Sequence, residues 1–581
     1  MPFGLNPFKK QDHEFPGVVV PLSSAPANSH AAATDPEKKV GPDDKTDNGS
    51  LDRSSSAENG VGSIHSAQVS QDGHLTMEIL RAEVENDLIV SGQDSAYDRK
   101  AKVINRAIQD IGMGRYQWQL FALCGFGWTA DNLWLQGIAL TLPQLSLEFG
   151  VDENKVRFTT CALFLGLCLG ASFWGIASDI IGRRPAFNFT LLITGVFGLA
   201  AGGGPNWIGT CALYACLGLG VGGNLPVDGA LFLEFLPTAS GRLLTMLSVW
   251  WPVGNLVSSL LAWAFIPNFT CPAEGPCTKD QNMGWRYLVL TLGSITFVMF
   301  ICRFFLFHLY ESPKFLLSRG RQDDAVGAVH GIAYKNGVKT WLTVDILNEI
   351  GGYPDEAAAP QTLNNKQILT RYMDKFSLKR IRGLFATKKL GMTTVILWFC
   401  WTTIGMGYPL FNAFLPQYLA RSGGDTAQST STVYRNYAIT SIVGLPGSVL
   451  ACYTVDLKYI GRKGTMVIST LITGVLLFCF TASTNPDIQL LCSSLEAFFQ
   501  NIMYGVLYAY TPEVFPAMNR GTGTGISSCL NRIAGLCAPI VAIYGGSANP
   551  DAPIYASGGL ILAAFAAMVF LPIETRGRQT L

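Results

Sequence analysis

Apolar and polar residues are sorted along this chain into two regimes. Up to about residue 96 the sequence is rich in Ser, Asp, Asn, Pro, Gly and Ala and poor in aromatics. Such a segment buries too little apolar surface to offset its ordering entropy, which predicts a disordered tail over 1–96. From Tyr97 the pattern turns helical, with Ile104, Ala107, Ile108 and Ile111 on one face of a short amphipathic lead-in. Beyond it, apolar residues come in blocks as long as the roughly 20 residues a helix needs to cross a bilayer. Twelve such blocks run at about 118–140, 158–178, 185–203, 207–233, 243–266, 287–309, 390–416, 436–455, 464–482, 488–511, 521–544 and 555–572. A polar stretch from 310 to 389, with thirteen Lys and Arg, separates six blocks from six. The expected fold is an all-α membrane protein of twelve transmembrane helices in two six-helix bundles. The lead-in and first bundle cover 97–310, a central loop with short surface helices covers 311–389, the second bundle covers 390–573, and 574–581 forms a short tail.

Composition narrows the function classes. Of 581 residues only 14% are charged and 49% are hydrophobic, against about 25% charged in a soluble domain. A net charge of +1 gives no reason to expect nucleic acid. Twelve of the fourteen cysteines, from Cys124 to Cys537, sit singly in apolar blocks, where a thiol behaves as a small hydrophobe. No zinc-type spacing, cofactor motif or nucleophile–base set is present, so no metal, cofactor or enzyme activity is expected. Gly218-Leu-Gly220-Val-Gly222-Gly223 matches a dinucleotide fingerprint, but it lies inside an apolar block instead of following a strand. Close helix packing is its expected use. The first residues lack the apolar core of a cleavable signal peptide, so the first span is expected to direct insertion.

Charge also sets the orientation. With the tail inside, the cytoplasmic side receives the central loop, Arg183, Arg184, Arg242, Lys458, Arg462, Lys463, Arg520, Arg576 and Arg578, and the opposite side far fewer cations. The loop after block five then faces outward and reads NFTCPAEGPC. It offers Asn268 as a glycan acceptor and Cys271 with Cys277 as a disulfide pair in an oxidising space. The Asn188 sequon falls at the inner side and is expected to stay bare. A plasma membrane is the expected location, with a vacuolar or other endomembrane as the alternative.

The two sets of six repeat. GIASDIIGRR (175–184) after block two answers DLKYIGRK (456–463) after block eight, and Glu234-Phe-Leu-Pro with Arg242 answers Glu513-Val-Phe-Pro with Arg520. Asp179 to Asp456 is 277 residues, while Arg183 to Arg462 and Glu234 to Glu513 are each 279. Parallel repeats of this kind are a feature of transporters. Gly175 through Arg184 resembles the signature loop of the major facilitator superfamily. The Glu234 and Glu513 segments, YESPKFLLSRGR (310–321) and PIETRGR (572–578) resemble its sugar-porter subfamily. IGMGRYQW (111–118), Ala130-Asp131 and GNLPVDGALFLEF (223–235) are similar to the synaptic-vesicle-protein-related branch, in a fungal version. The resemblance implies the twelve-helix facilitator fold, alternating access and a monomer in the lipid bilayer. It covers about residues 100–578.

The helix-end charges Asp179, Arg183, Arg184, Glu234 and Arg242, with Asp456, Arg462, Glu513 and Arg520, are expected to form a cytoplasmic gate whose pairs break as the halves rock. Alternatively they only set topology. Ionisable groups at bilayer depth point to function. Asp131 lies mid-way along span one beside Asn132 and near Gln136. Asp228 lies in span four with Asn224. Glu496 lies in the outer half of span ten, ahead of Gln500, Asn501 and Tyr504, and Asn531-Arg532 lies mid-way along span eleven. The resemblance places spans one, four, seven and ten along the central path. Asp131, Asp228 and Glu496 are therefore candidates for proton coupling. Asn132, Gln136, Asn224, Gln500, Asn501, Tyr504, Asn531 and Arg532 are candidates for solute binding. Asp131 could instead form a static pair with Arg532, and Arg532 could anchor a substrate oxyanion. Spans five and seven lack the glutamines with which sugar porters hold hexose hydroxyls. The expected activity is proton-coupled transport of a small organic solute, an organic or aromatic anion before others. The alternatives are a metabolite or drug exporter working by proton antiport and a non-transporting receptor or regulator.

Overall fold

The computed structural model describes residues 15–25, 74–91, 95–237, 242–271, 277–353, 378–421, 429–455, 457, 460–515, 520–546, 549 and 551–575. Two helices, α1 (Met77–Ser91) and α2 (Ala96–Ile111), precede the first bundle of α3 (Arg115–Phe149), α4 (Phe158–Ile181), α5 (Arg183–Gly202), α6 (Trp207–Phe235), α7 (Arg242–Leu247), α8 (Trp250–Phe265) and α9 (Gly284–Ile301). The central segment supplies α10 (Pro313–Ser318), α11 (Gln322–Asn336), α12 (Val344–Gly351) and α13 (Leu378–Gly383). The second bundle is α14 (Lys388–Asn412), α15 (Leu415–Arg421), α16 (Thr430–Thr454), α17 (Gly461–Ala482), α18 (Pro486–Val514), α19 (Arg520–Gly546) and α20 (Ala552–Val569).

Ten of the twelve spans are long and apolar enough to cross a membrane by length and composition among the described residues. The other two depart for identifiable reasons. Gln117, Gln119, Asp131, Asn132, Gln136 and Gln144 dilute α3. The fifth span, expected as one helix over 243–266, is broken at Ser248–Val249 into α7 and α8. Pro252 has no N–H for the Ser248 carbonyl four residues back, and the Trp251 N–H takes that carbonyl in a tighter turn, 3.1 Å.

Small residues let the spans approach closely. A Cβ at Gly166 would collide with the Ala215 carbonyl, one at Gly218 with the Leu163 carbonyl and one at Gly222 with the Leu167 carbonyl. The glycine run that imitates a nucleotide fingerprint is thus the seam between α4 and α6, the usual role of small residues between membrane helices.

The tail differs from its expectation. Within 1–96, residues 15–25 and 74–91 are ordered and packed on the central helices. Val20 N–H donates to the Thr340 carbonyl (3.0 Å), Thr340 N–H to Val18 (2.9 Å), and Leu75 N–H to Ala25 (2.9 Å). Phe15 lies against Tyr310 and Tyr334, with ring centroids 6.3 and 5.5 Å away. Leu80, Val84 and Leu88, spaced by four on α1, are buried in the same cluster. An average over a hundred polar residues hides short apolar strips that need only a ready-made surface to fold against. The rest of the tail lies outside the described residues.

The halves meet on both sides of a central space. At the end bearing the Cys271–Cys277 disulfide, Arg157 is 1% exposed and reaches from the first half to Gln417 Oε1 (3.0 Å) and the Ala542 carbonyl (2.9 Å). Tyr434 Oη donates to the Leu140 carbonyl at 2.8 Å, and Ser259 and Ser441 are 2.8 Å apart. At the tail end, Trp128 stacks on Trp251 (4.6 Å), and Tyr508 wedges between Trp251 and Trp401, 4.6 Å from each.

Candidate substrate cavity

Between those closures lies a cavity. Its walls come from both halves: Asp131 and Asn132 on α3, Trp251 on α8, Tyr408 on α14, Asn501, Tyr504 and Tyr508 on α18, and Asn531 and Arg532 on α19. Asp131 is buried, and Arg532 acts on it as an attractive positive charge. The Arg532 guanidinium makes a long 3.5 Å contact to the Leu167 carbonyl, and the residue lines the cavity. Nearer the disulfide end is a second, more polar chamber, lined by Gln136, Asn255, Asn412, Tyr437, Ser441 and Gln500 among others. Tyr408 and Asn501 border both spaces.

The structure therefore groups the residues singled out from sequence into several environments. Asp131, Asn132, Asn501, Tyr504, Asn531 and Arg532 meet at the main cavity. Gln136 and Gln500 belong to the polar chamber, where Gln136 Nε2 donates to Ser259 Oγ at 3.3 Å. Asn224 is fully buried, and neither its Oδ1 nor its Nδ2 has a hydrogen-bond partner. Asp228 faces no cavity described above. Its Oδ2 sits 2.6 Å from the guanidinium of Arg303, both side chains have no exposure, and Arg303 also donates to the carbonyls of Leu123 (3.0 Å) and Phe187 (2.8 Å). Arg303 stands in a π turn, Cys302–Leu306, that continues α9. It was legible as a lone cation in an apolar block, the same signal that marks Arg532. Tyr408 and Asn412 carried no such signal, because aromatic and amide residues are ordinary within spans.

A sequence profile of the Major Facilitator Superfamily matches residues 120–456 and 397–581. The chain belongs to the major facilitator superfamily. It is 45% identical over 492 residues, 84% of this chain and 93% of the relative, to "MFS siderochrome iron transporter 1" of Ceriporiopsis subvermispora. It is 41% identical over 503 residues, 84% and 90% of the two chains, to "Major facilitator-type transporter hxnZ" of Emericella nidulans. The synaptic vesicle 2-related protein of Xenopus laevis is 26% identical over 549 residues, 90% of each chain. Among solved structures, the proton:xylose symporter XylE bound to 6-bromo-6-deoxy-D-glucose superposes with a TM-score of 0.59 at 17% identity, over 80% of this chain and 98% of that one. This facilitator is thus a multi-pass membrane protein of a family of secondary transporters, which is not an enzyme class.

Its signature charges form ion pairs within each half. Arg183 pairs with Asp179 (2.7 Å) and Glu234 (3.4 Å), all in the first half, and Arg462 pairs with Glu513 in the second. These pairs hold the helix ends of each half together. Asp456 and the side chains of Arg242 and Arg520 lie outside the described residues. Each cluster is tied to the end of its own bundle by a carboxylate that sequence reasoning passed over. Glu311, just past the sixth span, accepts from the N–H groups of Arg183 (2.9 Å) and Arg184 (3.3 Å) at the start of α5. Glu574, just past the twelfth, accepts from those of Arg462 (3.2 Å) and Lys463 (3.0 Å) at the start of α17. Both α5 and α17 begin at a glycine with positive φ, Gly182 (108°) and Gly461 (61°), whose turn presents these donors. Burial pushes the Glu311 carboxyl up to about 7, against the backbone N–H groups that favour its charged form.

Near the disulfide, Asn268 is exposed and its Nδ2 donates to the Ala264 carbonyl at 2.8 Å. Asn188 is buried on α5. The Cα atoms of the joined Cys271 and Cys277 are 5.5 Å apart.

Proposed function

We propose that this protein is a proton-coupled secondary transporter of small organic anions, with aromatic carboxylates the favoured class. The observation that carries this reading is one cavity, between the halves, holding Arg532, Asp131 and a set of aromatic walls together. A guanidinium forks onto a carboxylate and keeps its charge at any physiological pH. Trp251, Tyr408, Tyr504 and Tyr508 offer ring faces and edges to a flat solute, and Asn132, Asn501 and Asn531 offer amides for its polar substituents. With the anion absent, Asp131 balances Arg532. When the anion takes that guanidinium, the carboxyl of Asp131 is left without its counter-charge in a closed space and binds a proton. That exchange of partners couples solute to proton. Asp228, by contrast, is committed to Arg303 and is withdrawn from the coupling candidates.

Uptake of radiolabelled benzoate into proteoliposomes, with and without a pH gradient, tests the reading. The wild type should accumulate benzoate toward the alkaline side. Arg532→Leu should lose uptake, and Asp131→Asn should lose accumulation against a gradient. Normal pH-driven accumulation by a well-folded Asp131→Asn protein would remove Asp131 from the mechanism. Export by antiport would show as accumulation toward the acidic side. The relative described as a siderochrome iron transporter motivates a second reading, a ferric chelate as the anion, and competition of such a chelate against benzoate separates the two.

A further inference from the structure

Among the described residues, carboxyl groups buried in the spans come with guanidinium groups, with one exception. Glu148 is 2.5 Å from Arg286, Asp228 is 2.6 Å from Arg303, and Asp131 shares its cavity with Arg532. Glu496 has no such partner among the described residues. It is 1% exposed; its Oε1 receives a long 3.4 Å contact from the Asn412 amide, and its Oε2 is buried without a hydrogen-bond partner. The titratable groups that act on it are phenols: Tyr408 from α14, Tyr437 from α16 and Tyr504 from its own helix. None supplies a positive charge. An unpaired carboxylate in such surroundings costs more than a fold's net stability can absorb, and the group resolves this by taking a proton.

A polar space adjoins this carboxyl group through Asn412. Asn412 lines the polar chamber and donates to both Glu496 and Gln500, the latter at 3.1 Å. The chamber lies between the main cavity and the Arg157 closure, and its Tyr408 and Asn501 border the main cavity as well. Glu496 is thus next to the solute path without facing the solute.

We propose that Glu496 is a second proton site, filled and emptied through the polar chamber, so that one solute anion moves with two protons. This rests on the transport reading above, in which Asp131 carries the first. Each carboxylate takes one proton on one side of the membrane and returns it on the other, with no bond made or broken elsewhere. A monovalent anion with two protons carries one net positive charge per cycle. Transport then responds to membrane voltage, and the limiting accumulation changes about 50-fold per 100 mV.

Two measurements on the full-length reconstituted protein test this. Infrared spectra of the solute-free protein near neutral pH should show the C=O stretch of a protonated, buried carboxyl group. The band should persist in Asp131→Asn and weaken in Glu496→Gln. Its absence from the wild type, or its full retention in Glu496→Gln, would overturn the proposal. Benzoate uptake at equal pH under an imposed potassium-diffusion potential should follow voltage in the wild type and lose that response in Glu496→Gln. Wild-type uptake that follows pH but ignores voltage would also overturn it, whether or not the variant folds. Should benzoate not be moved at all, the transport reading fails, while the infrared result still decides Glu496.

Discussion

Asp228 and Arg303 show how little the position of a charge in sequence says about its job. Both stand at bilayer depth, which is the sequence signal for function, yet the pair is sealed inside the first half and braces α6 against the end of α9. Removing one member leaves an uncompensated buried charge, at a cost of about 3–5 kcal/mol. Asp228→Leu and Arg303→Leu should each lower the thermal unfolding temperature in detergent sharply, and the double variant should recover much of the loss. Additive losses in the double variant would argue against a brace. Glu311 gives a pH signature instead. Its folded carboxyl titrates at about 7 against an ordinary value of 4.5, so between those limits the folded protein holds a proton that the unfolded chain has released. Its contribution to stability is fully present below about 4.5 and lost as pH rises through about 7. Glu311→Gln, neutral throughout, should flatten the pH dependence of unfolding over that window. An unchanged profile would show that Glu311 titrates as an ordinary carboxylate. Residue types told where charges lie; which ones meet depends on side-chain reach, and Arg532 near Asp131 was foreseeable only through the family's known order of helices.

At the scale of helices, most of the architecture was legible. Apolar blocks of spanning length located all twelve spans, and the glycines of α6 announced a close seam. Breaks and contacts between elements were less so. Pro252 was visible in the fifth span, but proline inside a membrane helix often only bends it. The closure at the disulfide end joins Arg157 to the carbonyl of Ala542, 385 positions away, and no local pattern reports such a contact. In the sequence Arg157 is a cation just ahead of the second apolar block. Buried between α15 and α19, with its guanidinium 4.8 Å from the Phe414 ring, it holds the halves together there. Arg157→Leu forfeits charged hydrogen bonds worth about 1.5–3 kcal/mol each, enough to shift the two-state population tenfold or more. A cysteine placed at Gln136 should then react faster with a membrane-impermeant thiol reagent applied from the disulfide side. Equal rates with and without the Arg157 substitution would assign the closure to Tyr434 and the serine pair instead.

For the whole molecule, the repeat read from the sequence reappears as two bundles with matching glycine turns and matching carboxylate ties at Glu311 and Glu574. Orientation is the property that charge bias predicts and that a single modification checks. Glycosidase treatment should shift the mobility of the wild type produced in a eukaryotic host and leave Asn268→Gln unchanged; a glycan mapped to Asn188 would invert the assignment. The least legible part was the tail, where apolar strips too short to register by composition find a surface already built by the central helices. Its geometry has a consequence for how the sequence can vary. The Leu75–Ala25 hydrogen bond holds two points of the chain fifty positions apart side by side. Closing a longer loop over the same base costs only about 0.6 kcal/mol for each doubling of its length. Changing the number of residues between those two anchors should therefore leave Phe15 through Ala25 docked, so that this is where the length of the chain is nearly free to drift.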